Sequence, residues 1–165
     1  MIHVVLDIET MGLAPGSAVM SIGAVSLGGS EFSVVIEGPS GSASTSTARW
    51  WMRQREEVRD SIQGGVVETE ALRAFAEWLG TLRAIHGGVL RLWGSEDFDT
   101  VILAAAYARN GIDRPWHYQE PRGLRTILEA RGVDEDALPW EGIEHIAIEC
   151  ARHAAAALKL AIAEA

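Results

Sequence analysis

The sequence predicts an α/β fold: a mixed sheet of five strands covered by helices. An apolar, β-branched run at the start is followed by two β-rich runs joined by a Gly-Gly-Ser turn, which makes a hairpin. Segments of helical period then alternate with short apolar runs, which excludes an all-parallel doubly wound sheet. With 165 residues, 48% of them hydrophobic, the chain can bury one core and leaves little room for a second. One domain spanning residues 1–165 is expected.

Residues 2 to 8 are short and apolar enough for a fully buried strand, although the run ends in carboxylates. Residues 11 to 16 carry Gly and Pro and predict a loop, and 18 to 27 and 31 to 37 predict the hairpin strands. Residues 38 to 47 are rich in Gly, Ser and Thr without periodicity, which predicts a mobile surface loop whose last Ser or Thr caps a helix. Residues 48 to 62 predict a helix in one or two pieces. A longer helix over 69 to 85 follows from Leu72, Phe75, Trp78, Leu79 and Leu82 at helical spacing, closed by Gly87-Gly88. Residues 89 to 93 predict a buried strand, 98 to 110 a helix ended by Gly111, 116 to 118 a short strand, and 124 to 130 a short helix. The Ala-rich segment 145 to 163 has no internal Pro or Gly and predicts one long terminal helix.

Lys and Arg number 14 against 23 Asp and Glu, a net charge of −9, which excludes a basic non-specific nucleic-acid coat. Any nucleic acid must be held by local chemistry. Cys150 is the only cysteine, so no intramolecular disulfide forms, and with no leader pattern at the start a cytoplasmic protein is expected. The richest apolar stretches, 99 to 108 and 154 to 163, fall far short of the ~20 residues that cross a bilayer.

Three segments carry candidate chemistry. Asp7 and Glu9 lie two positions apart at a strand end, so the strand period of two sends both carboxylates from the same face. Like charges that close call for a cation between them. Gly94 through Asp99 runs from a strand through a turn into a helix and places Asp97 and Asp99 where that helix begins. Glu144 to Arg152 opens the terminal helix, with His145 and Glu149 one turn apart and Cys150 within about one and a half turns of His145.

Together these segments resemble, in order and spacing and over the whole chain, the three motifs of the DnaQ-like (DEDDh) 3'-5' exonucleases of the ribonuclease H-like fold. Asp7-Ile8-Glu9-Thr10 matches the D-x-E-T motif. Met11-Gly12 and Ser21 to Val25 are similar to the phage and bacterial branch related to exodeoxyribonuclease VIII. Gly94 through Phe98-Asp99 matches G-x-x-x-F-D, with Asp97 as the alternative acid. His145-x-Ala147 begins the third motif, H-x-A-x-x-D, but Cys150 stands where that family has its last metal-binding aspartate.

The resemblance implies a sheet with one antiparallel strand and helices on both faces, and two Mg2+ or Mn2+ ions held by Asp7, Glu9, Asp99 and the position of Cys150. Asp7, Glu9, Asp99 and His145 carry over as the catalytic set, with Asp7 bridging the ions and His145 as general base. Thr10, Met11, Gly12 and Phe98 carry over as contacts to the 3'-terminal nucleotide. The implied activity is release of nucleoside 5'-monophosphates from the 3' end of single-stranded DNA or RNA, with no membrane partner. Arg49, Arg53, Arg122 and Arg125 are candidate phosphate contacts. Trp50 and Trp51 are expected to pack as core or lid, and the Ala-rich terminal helix would suit a homodimer. Cys150 sets an alternative: a weakened or inactive member that binds nucleic-acid ends or serves as an interaction module, since a protonated thiol supplies no fixed charge and a soft sulfur suits Mg2+ poorly.

Overall fold

The computed structural model describes residues 1–163. Its strands are β1 (Ile2–Thr10), β2 (Val19–Ser26), β3 (Glu31–Glu37), β4 (Val66–Val67), β5 (Leu90–Gly94) and β6 (Pro121–Gly123), in the spatial order β4-β3-β2-β1-β5-β6. β2 alone runs against its neighbours: it pairs antiparallel with β1 and β3, while the other three pairings are parallel. The helices are α1 (Thr45–Trp51), α2 (Glu56–Asp60), α3 (Glu68–His86), α4 (Asp99–Arg109), α5 (Leu124–Ala130) and α6 (Ala147–Ala163).

The sheet therefore has six strands and not five. The additional strand, β4, is two exposed residues running parallel to the end of β3, too short to carry a periodic signal. The last strand lies at Pro121–Gly123 rather than at 116 to 118. Pro121 opens an edge strand, where its missing N–H costs no ladder bond. Trp116 is buried instead, packing edge-on against Tyr107 at 5.5 Å between ring centroids. The region 48 to 62 divides into α1 and α2, and the terminal helix begins at Ala147, so His145 lies outside it.

Alternation along β1 builds two cores. Ile2, Val4, Leu6 and Ile8 face α3 and α4 and pack with Leu72, Phe75, Leu79 and Ile102. Val5 faces the other way, toward Leu124, Ala151, Ala155 and Leu158 of α5 and α6. Each fully buried Leu, Ile or Phe contributes roughly 1.5–3 kcal/mol. Asp7 and Glu9 share the α6 face with Val5, beyond the end of its apolar packing. Among the described residues no helix is long and apolar enough to cross a membrane.

The polar segment 38 to 47 is tied down at several points. The Ser42 N–H donates to the Gly16 carbonyl at 2.9 Å, and the Ser44 N–H donates to the Met11 carbonyl at 2.8 Å. Ser44 then caps α1, accepting from the Thr47 N–H at 3.1 Å. These bonds set α1 against the end of β1.

Candidate active site

Asp7 and Glu9 leave β1 toward the start of α6. In the β1–β2 register Asp7 pairs with Gly23, and the missing side chain there is what lets α6 approach. A Cβ on Gly23 would lie 2.3 Å from the Ala147 carbonyl carbon and the Ile148 nitrogen. The first turn of α6 thus lies on the sheet beside the acids, and the Cys150 N–H donates to the Ile146 carbonyl at 2.9 Å. One ligand atom from each of Asp7, Glu9 and Cys150 falls within 4.8 Å of the others.

Asp99 enters from the N-terminus of α4 and is 3% exposed. Its carboxylate accepts the Ser95 N–H at 2.6 Å and the Ile8 N–H at 3.3 Å, stapling the ends of β5 and β1 together. Gly94 permits this, since a Cβ there would sit 2.9 Å from an Asp99 oxygen. Asp97 lines a separate groove with Glu96 and Arg125, so Asp99 is the acid of this turn that reaches the cluster.

A cavity of about 540 Å3 opens over these groups, lined by Asp7, Glu9, Asp99, His145 and Cys150. Thr10 and Phe98 also line it, whereas Met11 and Gly12 do not. Thr10 Oγ1 donates to the Gly12 carbonyl at 2.6 Å, and Gly12 packs so closely on Ser17 that a Cβ would meet Ser17 Oγ at 2.6 Å. That loop turns back on itself, which puts Leu13 on the cavity wall instead.

The two tryptophans part company. Trp51 is 5% exposed and its indole N–H donates to the Thr10 carbonyl at 2.9 Å, which is packing as expected. Trp50 lines the cavity with Ser46 and Thr47, and its ring meets the His145 ring edge-on at 4.8 Å between centroids. Of the expected core or lid packing, Trp51 takes the core and Trp50 the cavity wall. Adjacent helical residues point ~100° apart, so the pair divides between the two. His145 has φ 68°, the only non-glycine residue in the left-handed region among those described. Backbone strain of this kind costs about 1–3 kcal/mol and concentrates at functional positions.

The electrostatics follow from crowding. Burial, then the Asp99, Glu9 and Glu135 charges, push the Asp7 carboxyl well above the usual carboxylate range. Burial and Asp99 push Glu9 up to about 8. Burial raises Asp99 to about 6, against the opposing hydrogen bonds from Ser95 and Ile8. Burial, with Asp7 next, also pushes the Cys150 thiol far up. Among the described residues no Lys or Arg forms an ion pair with any of the three acids. A divalent cation among them would relieve this repulsion, and the oxygens of Asp7 and Glu9 suit a hard one. The Cys150 sulfur does not.

Glu149, beside Cys150 in sequence, does not line the cavity and accepts from Arg152 at 2.9 Å. Arg49 and Arg53 are exposed on and just after α1, and Arg122 donates to the Gln119 and Pro121 carbonyls at 2.6 and 2.7 Å.

In its fold the chain is similar to cell-death related nuclease 4, with a TM-score of 0.69 at 16% identity over 99% of this chain and 64% of that one. The chain thus spans just under two thirds of that nuclease. It is similar to the nuclease domain of 3'hExo, a DEDDh family member whose structure holds rAMP, with a TM-score of 0.63 at 14% identity over 99% and 92% of the two chains. It also resembles E. coli exonuclease I in a zinc-bound complex with single-stranded DNA, with a TM-score of 0.61 at 17% identity over 99% and 40%. At such identities the likeness is one of fold. No curated protein matches it in sequence. Residues 2–162 match the description "3'-5' exoribonuclease Rv2179c-like domain", and the chain belongs to that family.

Proposed function

We propose that the chain is a divalent-metal-dependent 3'-5' exonuclease that removes nucleoside 5'-monophosphates from single-stranded ends, with RNA as the first substrate to test because its family is one of exoribonuclease domains. The observation that carries this reading is the convergence of Asp7, Glu9, Asp99 and His145 on one cavity of about 540 Å3. The narrower tie to the exodeoxyribonuclease VIII branch rests on sequence likeness, at Met11-Gly12 and Ser21 to Val25 and in the stretches from Trp50 to Gln54 and from Leu124 to Thr126.

Asp7 and Glu9 would hold the divalent cations. The bound cations would supply positive charge to the phosphoryl oxygens and to the departing 3'-oxygen. Asp99 keeps the two strand ends in register through its backbone hydrogen bonds and adds negative charge behind the pair. His145, held against Trp50 at the cavity wall, would accept the proton of the attacking water. The water oxygen bonds to phosphorus, the bond from phosphorus to the 3'-oxygen of the preceding nucleotide breaks, and that oxygen takes a proton from solvent. Thr10, Phe98 and the apolar walls from Leu13 and Trp50 would receive the terminal sugar and base.

Cys150 favours a second reading, a family member that binds ends and turns over slowly or not at all, since it stands where the H-x-A-x-x-D motif that this segment resembles has its aspartate. The two readings part in an assay of 5'-labelled RNA and DNA oligonucleotides, blocked or free at the 3' end, in Mg2+ and in Mn2+. Stepwise shortening of free ends by the wild type, lost in Asp7→Ala, supports the exonuclease. No shortening at any protein concentration, with large gain in Cys150→Asp, supports the silent member.

A further inference from the structure

We propose that Cys150 Sγ is itself a ligand, and that with Asp7 and Glu9 it forms a mixed sulfur and oxygen site that takes a thiophilic divalent cation, of the Zn2+, Co2+ or Cd2+ class, in preference to Mg2+. This rests on the reading of Asp7 and Glu9 as cation ligands and goes past it by naming the class of cation.

Position is the first ground. Ligand atoms of all three residues already lie within 4.8 Å of one another. Around a tetrahedral zinc-like centre such atoms stand roughly 3.5 Å apart, so side-chain rotation of about an ångström closes the set. Gly23 already seats the first turn of α6 against Asp7's partner strand.

The second ground is where the thiol is directed. A cysteine that served only packing would sit among Ala151, Ala155 and Leu158, which are fully or almost fully buried in the α6 core. Cys150 is only half-buried. It lines the main cavity and also a smaller one of about 180 Å3 behind it, and Asp7 and Asp99 line both with it. Glu135 lines that smaller cavity too, so Cys150 shares its two cavities with Asp7, Glu9, Asp99 and Glu135. A protonated thiol adds no charge to offset them, whereas a cation bound through sulfur offsets all of them.

Chemistry is the third. Mg2+ takes hard oxygen ligands in octahedral geometry, and replacing one carboxylate by sulfur removes both charge and hardness. Zn2+, Co2+ and Cd2+ accept thiolate and carboxylate in one shell. On binding, the S–H bond breaks, its proton passes to solvent, and the sulfur lone pair forms the bond to the cation.

Co2+ is the probe, because a thiolate-bound Co2+ shows a near-ultraviolet charge-transfer band that oxygen ligands do not produce. The full chain titrated with Co2+ is expected to develop that band, to lose it on addition of Zn2+, and to keep it in a large excess of Mg2+. Cys150→Ser, nearly the same shape, should lose the band and bind Zn2+ at least about 10-fold more weakly by calorimetry. If the wild type binds Co2+ with no such band, and Cys150→Ser binds Zn2+ equally well, the sulfur is not a ligand and this inference falls while the cation reading of Asp7 and Glu9 stands. If calorimetry detects no Co2+, Zn2+ or Mn2+ binding to the wild type, both fall. The wild-type band decides the matter even should the variant misfold.

Discussion

Glu68 on one side of this molecule and Asp7 with Glu9 on another are acids drawn into the fold and solved in opposite ways. Glu68, 6% exposed at the start of α3, accepts from the Ser40 backbone N–H at 3.1 Å, from the Ser40 hydroxyl, and from Arg109 at 3.1 Å. Burial alone would raise its pKa, but the Ser40 hydrogen bonds and the Arg109 charge outweigh it and hold the carboxyl below its ordinary value. Asp7 and Glu9 are crowded by further acids, carry no such pair among the described residues, and are pushed up. Where the chain brings its own cation the acid is structural. Where it brings none, the acid is kept at a cost to the fold that a cation from outside can offset.

The largest effect that tests this contrast is on turnover. Asp7→Asn keeps the shape of the side chain and removes the charge at the centre of the cluster. 3'-End hydrolysis is expected to fall by about 100-fold or more, and the rise in melting temperature on adding Mn2+ to vanish. Glu68→Gln is expected to leave both nearly unchanged. A Glu68→Gln enzyme as dead as Asp7→Asn would remove the distinction.

Gly23→Ala comes next, and it acts on only one of the two regions. The added Cβ meets backbone of the α6 first turn at 2.3 Å, which no side-chain rotation relieves. Overpacking of this kind costs about 1–3 kcal/mol, measurable by urea unfolding, and the displaced turn should carry His145 and Cys150 away from Asp7 and lower activity with it.

How much of this was legible in the sequence differs along the same divide. β1 translates spacing into position with no help, because a strand has one period and the acids sit two apart in it. Asp99 was singled out over Asp97 by resemblance to G-x-x-x-F-D, but its use of both oxygens on backbone N–H groups, which depends on where β1 ends, was not legible. Helix propensity favours continuing α6 back through His145. The structure instead holds that residue at φ 68° beside Trp50, a tertiary choice no local pattern encodes. Met11 and Gly12 were assigned by resemblance, and the turn packed on Ser17 places Leu13 at the wall in their stead. β4 escaped notice since two residues have no period.

The sign of a stability change separates the two regions at smaller magnitude. In metal-free buffer near neutral pH Asp7→Asn should stabilise the protein by about 1–2 kcal/mol, since it removes a carboxyl whose ionisation burial and the neighbouring acids oppose. Glu68→Gln should destabilise it by about 1–2 kcal/mol, leaving Arg109, which is partly solvated, with Ser40 but without its charged partner. Urea unfolding of both variants in chelator reads the two signs side by side. The same sign for both would mean the cluster is balanced by something within the chain.

The Glu68 effect also has a pH window. Its folded pKa lies below the ordinary 4.5, so the unfolded chain takes up the proton first as pH falls. The stability that Glu68 contributes is therefore fully present above about 4.5 and is lost as pH drops through the lower, folded value. The stability difference between wild type and Glu68→Gln should be flat from pH 8 to about 5 and shrink below that. Because Ser40 sits in the segment that leads into α1, loss of this tie in acid should loosen the Ser40 end of that segment, and amide exchange at Ser40 should rise over the same interval. A difference that stays constant into acid would show that Glu68 acts there by shape and not by charge, and the contrast between the two acid groups would then rest on the cluster alone.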